Sequence, residues 1–471
     1  MPEFSPSVLA DWTGGVWRGP VPGRVAGFSI DSRTLSHGEL FVAIRSKVRD
    51  GHDFLRSALE VGASGALVSS FDSGQPLAQL VVPDPIVALQ SIAVRHRAGF
   101  GRPVIAITGS CGKTSTKDLI AIALGGVDRV LSTIGNLNNF LGVPLTLLRI
   151  DPNRHQFAVI ETGISQVGEM DGLAAMVQPE MGVVCNLAPA HLDHFGSIEI
   201  VAREKSRLFR HLRPGGKAVF PVGCLEWKAF RTLVCETVVI GSGKEGGIDE
   251  DDHRRLQVSY QATQVESGMR IDAVFDSGKT VSLSLDSTSP GMASNAVLAL
   301  TVADRCGIDP VTASDRLASW TPAPLRGEIR ISSGRMVYVD CYNANPDSMI
   351  DAVRAFNARV PEGSPRLFVI GCMDELGTET AVLHADVGRA WPRRSGDRFA
   401  IVGDQAEDLR QGLLEAGQAD GSVVVAADLD ELSSMVGTWP GALFIKGSRR
   451  YRLESLLASL ARGEVGEEAA C

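Results

Sequence analysis

The segment VIAITGSCGKTSTKDLIAIAL, at residues 104–124, constrains the fold of this chain more than any other part of its 471 residues. Its first four residues form a short apolar run, which predicts a buried strand. The glycine-rich stretch TGSCGKT follows at 108–114, and a helical pattern begins at Ser115. A phosphate-binding loop needs this order of strand, turn and helix, because backbone N–H groups of the turn and of the helix N-terminus converge on an anion. The segment therefore predicts a nucleotide-binding α/β unit.

Side chains in this segment fit the chemistry of a nucleoside triphosphate. Lys113 can reach the β- and γ-phosphates, and the hydroxyl of Thr114 can bind Mg²⁺. The full Walker pattern has a glycine five residues before Gly112, where this chain has Ile107, so the loop has the shortened form TGxxGKT. A glycine-rich turn with a surface lysine is the alternative, which the strand–turn–helix context disfavours. We predict that ATP is bound by Thr108, Gly109, Ser110, Cys111, Gly112, Lys113, Thr114 and Ser115.

Charge, hydropathy and cysteine content restrict the class of protein. The net charge of −9, from 46 basic and 55 acidic residues, argues against nucleic acid as the default partner. No apolar run is long enough to cross a bilayer, and the N-terminus lacks the pattern of a signal peptide. The eight cysteines form no CxxC pair, which indicates reduced thiols in the cytoplasm rather than a zinc site. Cys111 lies near a helix N-terminus, which can lower a thiol pKa, although we expect the backbone to serve the loop there.

The chain divides into three α/β units, which its length also suggests. Residues 1–98 contain short strand and helix patterns, with a helix that stops at Gly62. Residues 99–320 alternate strands and helices, which predicts a mostly parallel sheet, and a polar stretch at 241–255 predicts a surface loop. TPAP at 321–324 indicates a hinge. A third alternating unit follows at 321–471, with a helix predicted at 350–358.

Candidate catalytic groups follow two of the predicted strands. Glu161 ends the apolar run at 157–160, and the carboxyl ends of parallel strands are where α/β folds place ligand-binding groups. We therefore predict that Glu161 joins Thr114 on Mg²⁺. His191 follows the strand predicted at 181–185, in a cluster of two histidines and an aspartate that favours function without deciding it. By spacing alone, Lys205 is a solvated charge on a helix.

Polar loop residues leave two interpretations open. Asn136, Asn138 and Asn139 lie in a glycine-punctuated loop, where they either bind a polar ligand or cap turns. Arg33 lies in a loop of the first unit, where a solvated surface charge is an equally good interpretation.

Taken together, these blocks resemble the Mur ligases of peptidoglycan synthesis, and among them the branch that adds D-alanyl-D-alanine. The sequence YNANPDSM at 342–349 distinguishes this branch best, because sister ligases usually carry a Tyr-x-His-x-Pro sequence there. The resemblance covers nearly the whole chain. The matching sequences are DSRTLSHGELFVAI (31–44), DGHDF (50–54), TGSCGKTSTK (108–117), GNLNNFLGVPLTLL (135–148), ETG (161–163), AHLDHFGS (190–197), AREKSRLF (202–209), DCYNANPDSM (340–349), GCMDELG (371–377) and KGSRRYRLE (446–454).

The resemblance implies a three-domain α/β architecture and an ATP-dependent amide ligase. The expected domains are a UDP-substrate-binding domain at 1–98, a P-loop ATPase-like parallel sheet at 99–320 and a Rossmann-like domain at 321–471. The expected substrates are UDP-N-acetylmuramoyl-tripeptide, whose carboxylate attacks ATP to give an acyl phosphate, and D-alanyl-D-alanine, whose amine then displaces phosphate. The resemblance further implies two Mg²⁺ sites and a monomer that binds no nucleic acid and has no membrane span.

The resemblance also assigns roles to individual residues. Lys113 serves the phosphates, Thr114 and Glu161 bind the first Mg²⁺, and His191 binds the second. Lys205 matches a lysine that is carbamylated in many Mur ligases, and the resulting anion can face Mg²⁺ where an ammonium would repel it. The residues implied at the nucleotide are Asn295, Arg326, Asn343 and Asp347. Those implied at the other substrates are Ser32, Arg33, His52, Asn136, Asn138, Asn139 and Asn345.

Three segments depart from the family pattern, namely SPGMASN at 289–295, GCM at 371–373 and PVG at 221–223. None of them falls on Lys113, Glu161, His191 or Lys205. Two alternatives remain open at this point. One is another Mur ligase or a folylpolyglutamate synthetase, and the other is a catalytically silent homologue.

Overall fold

The structure is a computed structural model that describes residues 2–242, 256–266 and 268–462. These residues form three sheets, which follow one another along the chain. The domain boundaries expected near 98 and 320 fall between these sheets and stay predictions. Most of the predicted surface loop at 241–255, and Cys471, lie outside the described residues. In the part of the chain that is described, no helix combines the length and the apolar character that crossing a membrane would require.

The first sheet has five strands in the order β1-β5-β4-β3-β2, and all neighbours are parallel except β1 and β5. Helix α2 stops at Gly62 as predicted, because the φ of +97° there is one that glycine adopts freely. The elements are α1 (Pro6–Thr13), β1 (Val16–Arg18), β2 (Phe28–Ser29), β3 (Leu40–Val42), α2 (Leu55–Val61), β4 (Gly65–Val68), β5 (Gln79–Val81) and α3 (Pro85–Ala98).

Helix α3 connects the first sheet to the second. Its residue Arg97 is buried and donates hydrogen bonds of 2.8 Å to the carbonyl oxygens of Val177 and Gln178, and it also pairs with Glu180. Apolar side chains of both units form one continuous core around this helix. The first two units are therefore packed as one body.

The central sheet has nine strands in the order β14-β13-β12-β11-β10-β9-β6-β8-β7. The strand that leads into the glycine-rich loop, β6, lies in the interior between β8 and β9. The central strands are β6 (Val104–Thr108), β7 (Val130–Ser132), β8 (Phe157–Glu161), β9 (Met181–Val184), β10 (Lys217–Pro221), β11 (Glu236–Ser242), β12 (Leu256–Val265), β13 (Gly268–Phe275) and β14 (Thr280–Leu285). The helices are α4 (Lys113–Ala123), α5 (Gly142–Leu147), α6 (Glu169–Val177), α7 (Leu192–Phe195), α8 (Ile198–Ser206), α9 (Lys228–Arg231), α10 (Pro290–Arg305) and α11 (Pro310–Leu317).

The prediction of a mostly parallel central sheet is correct as far as β12. Beyond it, β12 pairs with β13 and β13 pairs with β14 in antiparallel register. The connection from β13 to β14 is a tight turn, with Gly278 at a φ of +80°, and such a turn joins only antiparallel strands. On β14 buried and exposed residues alternate, as expected for a strand with one solvated face.

The third sheet has the order β15-β16-β20-β17-β18-β19 and is parallel except at β15. Helix α12 begins at Pro346, four residues earlier than the sequence predicted, because Asn345 and Ser348 form a capping box that starts it. The elements are β15 (Glu328–Ser332), β16 (Arg335–Asp340), α12 (Pro346–Arg359), β17 (Arg366–Gly371), α13 (Thr380–Arg389), β18 (Arg398–Val402), α14 (Ala406–Glu415), β19 (Val423–Val425), α15 (Leu429–Thr438), β20 (Ala442–Lys446) and α16 (Leu457–Arg462).

Candidate active site

A cavity of about 1500 Å³ lies between the central unit and the third unit. Both units contribute side chains to its wall, so a ligand in it contacts the glycine-rich loop and the start of α12 together. Of the predicted site residues, the cavity is lined by Ser110, Cys111, Gly112, Lys113, Thr114, Ser115, Asn136, Asn138, Asn139, Glu161, His191, Asn295, Arg326, Asn343, Asn345 and Asp347. Thr108, Gly109 and Lys205 lie behind this wall, and Ser32, Arg33 and His52 lie away from it.

The glycine-rich loop connects β6 to α4 at the carboxyl edge of the sheet. Gly112 caps the helix with a φ of +75°, and the helix begins at Lys113, two residues before the predicted start. Asn186, which follows β9, is a site residue that was not predicted from the sequence. Its Oδ1 accepts hydrogen bonds from the N–H groups of Ser110 (3.1 Å) and Cys111 (3.0 Å), so it fixes the loop in shape.

The position of Cys111 near a helix N-terminus does not lower the pKa of its thiol, which agrees with the backbone role that we expected there. Burial dominates and raises the pKa of this thiol to about 11. A buried thiol is therefore protonated at neutral pH, and the loop presents its backbone rather than a thiolate.

Two lysine amines lie at the back of the loop. The Nζ atom of Lys113 donates to the carbonyl oxygen of Gly109 at 2.8 Å, and that of Lys205 donates to the same oxygen at 3.0 Å. The solvated charge that spacing alone suggested for Lys205 is wrong, because the residue is only 2% exposed. Burial, followed by the charge of Lys113, lowers the pKa of Lys205 to about 7. A substantial fraction of this amine is therefore neutral near physiological pH.

Glu161 lies beside the loop because β8 and β6 are neighbours in the sheet. Its carboxylate is buried and accepts hydrogen bonds from Thr114 Oγ1 at 3.0 Å and from Asn138 Nδ2 at 2.8 Å. A hydroxyl and a carboxylate at this separation are the oxygen donors that Mg²⁺ prefers. The described residues contain no group of three His, Cys, Asp or Glu side chains that could hold a metal. A Mg²⁺ ion here would therefore take its other ligands from phosphate oxygens and water, which is its usual behaviour in nucleotide sites.

His191 meets a residue that the sequence analysis did not single out. The Nδ1 atom of His191 contacts the carboxylate of Glu375, which comes from the loop after β17 in the third unit. Burial lowers the pKa of the imidazole, while the Glu375 carboxylate acts in the opposite direction. Sequence spacing could not pair two residues that lie on different sheets.

The three asparagines in the loop before α5 do not share one role, although the sequence left only ligand binding and turn capping open for all of them. Asn139 caps α5, since its Oδ1 accepts from the N–H groups of Leu141 (3.1 Å) and Gly142 (2.9 Å). Asn138 instead donates to Glu161 and holds the carboxylate in place. Asn136 is exposed on the cavity wall.

The start of α12 provides the opposite wall. Asn345 is buried and caps the helix, accepting from the N–H of Ser348 at 2.9 Å, and Asn343 accepts from the N–H of Ala344 at 2.9 Å. Burial raises the pKa of the Asp347 carboxyl, and the neighbouring Asp351 raises it further. The guanidinium of Arg326 lies 3.8 Å from the ring centroid of Tyr342, an arrangement that favours a cation–π contact.

Helix α10 packs directly onto the loop. A Cβ built at Gly112 would lie 2.9 Å from Asn295 Nδ2, so the two residues touch. At its N-terminus, α10 receives the carboxylate of Asp351 from the third unit, which accepts from the N–H of Gly291 at 2.8 Å and from the hydroxyl of Ser289. The departure SPGMASN therefore forms an interface with the third unit.

The residues implied at the UDP end of the substrate make local contacts instead. Arg33 pairs with Asp31 at 2.6 Å, and its side chain is 80% exposed. His52 is held between Asp50, whose Oδ1 is 2.6 Å from Nδ1, and the N–H of Ser69, which is 3.1 Å from Nε2. Ser32 is buried. A substrate role for these residues stays a prediction.

Comparison with known proteins identifies the family. A family model described as the Mur ligase middle domain matches residues 107–303, and one described as the Mur ligase, glutamate ligase domain matches residues 326–441. UDP-N-acetylmuramoyl-tripeptide–D-alanyl-D-alanine ligase of Escherichia coli strain K12 is 31% identical over 433 residues, which are 91% of this chain and 92% of that protein. The chain belongs to the Mur ligase family. The resemblance seen in the sequence motifs is thereby confirmed.

Other relatives of this Mur ligase agree. The ligase of the same name from Bacillus subtilis strain 168 is 29% identical over 93% of each chain. A crystal structure of MurF from Acinetobacter baumannii aligns with a TM-score of 0.85 at 27% identity, covering 98% of this chain and 99% of that one. The expected three-domain α/β fold is therefore confirmed.

Proposed function

We propose that this Mur ligase joins D-alanyl-D-alanine to the peptide carboxylate of UDP-N-acetylmuramoyl-tripeptide and converts ATP to ADP and phosphate in the same reaction. One observation carries the reaction type: the phosphate loop, the buried Thr114–Glu161 pair and the start of α12 line a single cavity. The choice of substrates rests on the similarity to ligases named for them, which extends over more than nine-tenths of the chain. Because ATP and UDP-linked precursors are cytoplasmic compounds, we place the reaction in the cytoplasm.

The first step is attack of the peptide carboxylate oxygen on the γ-phosphorus of ATP, which forms an acyl phosphate and releases ADP. Its main obstacle is the repulsion between a carboxylate and a polyanionic tail. The N–H groups of the loop and of the first turn of α4 bind the phosphates, and Lys113 adds a positive charge. Its Nζ atom donates to the carbonyl oxygens of Gly109 and Ser110. The Gly109 oxygen also accepts from Lys205, so it keeps a partner when Lys113 turns toward a phosphate.

The donor set also supports bound Mg²⁺. We assign Thr114 and Glu161 to the first ion and His191 to the second, and the ions when bound neutralise charge on the phosphates. Lys205 fits a second cation site only after modification, since an unmodified amine offers no anionic ligand. Its neutral amine can add to CO₂, forming an N–C bond and losing a proton, to leave an anionic carbamate. Mass spectrometry of protein kept in bicarbonate tests this, and an unmodified Lys205 under those conditions would count against it.

The second step is attack of the D-alanyl-D-alanine amine on the acyl carbon. The tetrahedral intermediate expels phosphate, which carries away one oxygen of the original carboxylate. Holding the two reactants in one cavity replaces a bimolecular encounter, and closure of the third unit onto the loop excludes water that would hydrolyse the acyl phosphate. We assign Asn295, Arg326, Asn343 and Asp347 to the nucleotide.

The remaining predicted residues belong to the acid and amine substrates in this proposal. Asn136, Asn138, Asn139 and Asn345 line the cavity and face the reacting ends of both substrates. Ser32, Arg33 and His52 lie on the first unit and are assigned to the UDP end. Binding there requires the substrate to extend from the cavity across the body formed by the first two units.

The proposal is tested by ADP release from purified protein with a panel of acids and amines. We expect turnover with UDP-N-acetylmuramoyl-tripeptide and D-alanyl-D-alanine, with the amide product confirmed by mass spectrometry. Lys113→Ala should abolish ADP release, whereas the matched variant Lys279→Ala, in the exposed turn before β14, should not. Turnover with glutamate and folate but none with D-alanyl-D-alanine would overturn the substrate assignment. Absence of turnover with every pair would indicate the silent homologue.

A further inference from the structure

Two residues with unusual backbone conformation meet across the domain interface. His191 has a φ of +54° and Glu375 a φ of +63°, in the left-handed region that side chains rarely adopt. The two belong to different units and contact each other through Nδ1 of the imidazole and the carboxylate. Strained non-glycine residues persist only where surrounding structure holds them, and they concentrate at functional sites.

The loop that carries Glu375 is fixed in the third unit. The N–H of Met373 donates to the buried His384 at 2.9 Å, and the N–H of Asp374 donates to Ser448 Oγ at 2.9 Å. Asp374 also pairs with Arg450 at 3.0 Å. The main chain that leads into Glu375 is therefore held within the third unit.

The backbone reinforces the contact between the two units. The N–H of Asp193 donates to the carbonyl oxygen of Glu375 at 3.4 Å. Gly377, at a φ of +61°, lies so close that a Cβ there would be 3.0 Å from the Asp193 nitrogen. The segments at 191–193 and 375–377 thus fit against one another along both main chain and side chains.

Stability does not account for this pair. The Glu375 side chain is 48% exposed, and ion pairs at such exposure contribute little to folding. The chemistry of the contact is more informative. The Glu375 carboxylate lies against Nδ1, where it favours a proton on that nitrogen and leaves the lone pair on Nε2 free to act as a ligand or acceptor.

We propose that Glu375 is a positioning residue that fixes the tautomer and orientation of His191, and that it does so only when the third unit has closed on the central unit. The inference rests on the proposed function, in which His191 serves the phosphate and metal site. It makes that site incomplete in an open molecule, because one of its orienting groups lies on the other domain. ATP chemistry is thereby coupled to closure.

The first test determines the tautomer of the His191 imidazole directly by NMR, without substrate or added metal. Protein labelled with ¹⁵N-histidine contains nine histidines, and a His191→Asn spectrum identifies the His191 signals. At pH 8 we expect wild-type His191 to be the Nδ1–H tautomer, and Glu375→Ala to lose that preference. Glu375→Gln should keep it, because the amide oxygen still accepts from Nδ1–H. An unchanged tautomer in Glu375→Ala would overturn the proposal.

The second test separates positioning from binding. We expect Glu375→Ala to lower kcat roughly 10- to 100-fold, as is typical for partners that orient a metal-binding histidine, with KM for ATP and the acid substrate unchanged. Glu375→Gln should recover most of the loss, and in a His191→Ala background Glu375→Ala should cause no further loss. Glu379→Gln, an exposed carboxylate four residues along the chain, is the matched control. A raised KM with unchanged kcat, or an equal loss in the control, would contradict the proposal.

Two controls distinguish failure of this inference from misfolding of a variant and from an incorrect substrate assignment. The other eight histidine signals report whether a variant is folded, and Glu375→Gly, which adopts the same φ without strain, replaces Glu375→Ala if that variant is not. If the protein turns over a different amine, kcat is measured with that amine. The tautomer experiment then still decides the role of Glu375, while the substrate panel alone decides the proposed function.

Discussion

Adding one methyl group to the phosphate loop tests how tightly α10 packs onto it. In Gly112→Ala, the new Cβ would lie 2.9 Å from Nδ2 and 3.3 Å from Oδ1 of Asn295. Either the loop or the Asn295 side chain must then shift. The N–H groups that are proposed to bind phosphate lie on the same few residues, so a shift of the loop changes the direction in which these groups point.

Comparison with the matched variant Gly126→Ala separates the effect of packing on stability from the cost of the backbone conformation. Gly126 has a φ of +74°, almost equal to the +75° of Gly112, but a Cβ there meets nothing within 4 Å. Alanine in the left-handed region costs about 1–2 kcal/mol at either position. Overpacking adds about 1–3 kcal/mol at Gly112 alone. For a domain of this size, each kcal/mol of that difference lowers Tm by about 2–4 °C.

The assay compares Tm by calorimetry and nucleotide affinity by titration. We expect Gly112→Ala to unfold at a lower temperature than Gly126→Ala and to bind ATP roughly tenfold or more weakly, since about 1.4 kcal/mol corresponds to tenfold. Adding Asn295→Ala removes the crowded side chain, so the double variant should lose less stability than the sum of the single variants. Equal Tm and equal ATP affinity for the two alanine variants would refute the packing argument.

Three further perturbations follow from the same structure. In bicarbonate-free buffer, folded Lys205 has a pKa of about 7 against an ordinary 10.5, so between these values the unfolded chain binds more protons and stability rises with pH. This rise in the free energy of unfolding is roughly 2 kcal/mol between pH 7 and pH 9. Lys205→Met should flatten it, as measured by urea unfolding at the two pH values. Asp351→Ala removes the carboxylate from the N-terminus of α10 and should destabilise the interface between the units by about 1.5–3 kcal/mol in urea unfolding. Asp315→Ala, at an exposed position of α11, is the control and should change unfolding little. Asn186→Ala leaves the N–H groups of Ser110 and Cys111 without their acceptor and should weaken ATP binding, measured by titration, by about 1–3 kcal/mol.

Features that depend on neighbouring residues in the chain could be predicted from the sequence. The strand before the loop follows from its apolar run, and the end of α2 follows from Gly62. Glu161 could be placed beside the loop because consecutive strand ends meet at one edge of a parallel sheet. The family motifs added the roles of residues that spacing alone left open.

Features that depend on contacts between distant parts of the chain could not be predicted from the sequence. Lys205 lies on a charged helix, and only the fold shows that its amine is buried behind the loop. Burial likewise raises the pKa of Cys111, and the spacing of the loop does not show that burial. Glu375 and Asp351 act across a domain interface, and no periodicity within one element relates them to His191 or to α10. The early start of α12 was missed because capping-box geometry outweighs the apolar spacing.

The most direct measurement of the central claim follows oxygen from the acid substrate into phosphate. UDP-N-acetylmuramoyl-tripeptide labelled with ¹⁸O in both oxygens of the reacting carboxylate is incubated with ATP and D-alanyl-D-alanine, and the inorganic phosphate is analysed by mass spectrometry. Attack of the carboxylate on the γ-phosphorus predicts one ¹⁸O atom in each phosphate and one in the new amide. Phosphate without label would contradict the acyl-phosphate reaction and the role given to the cavity.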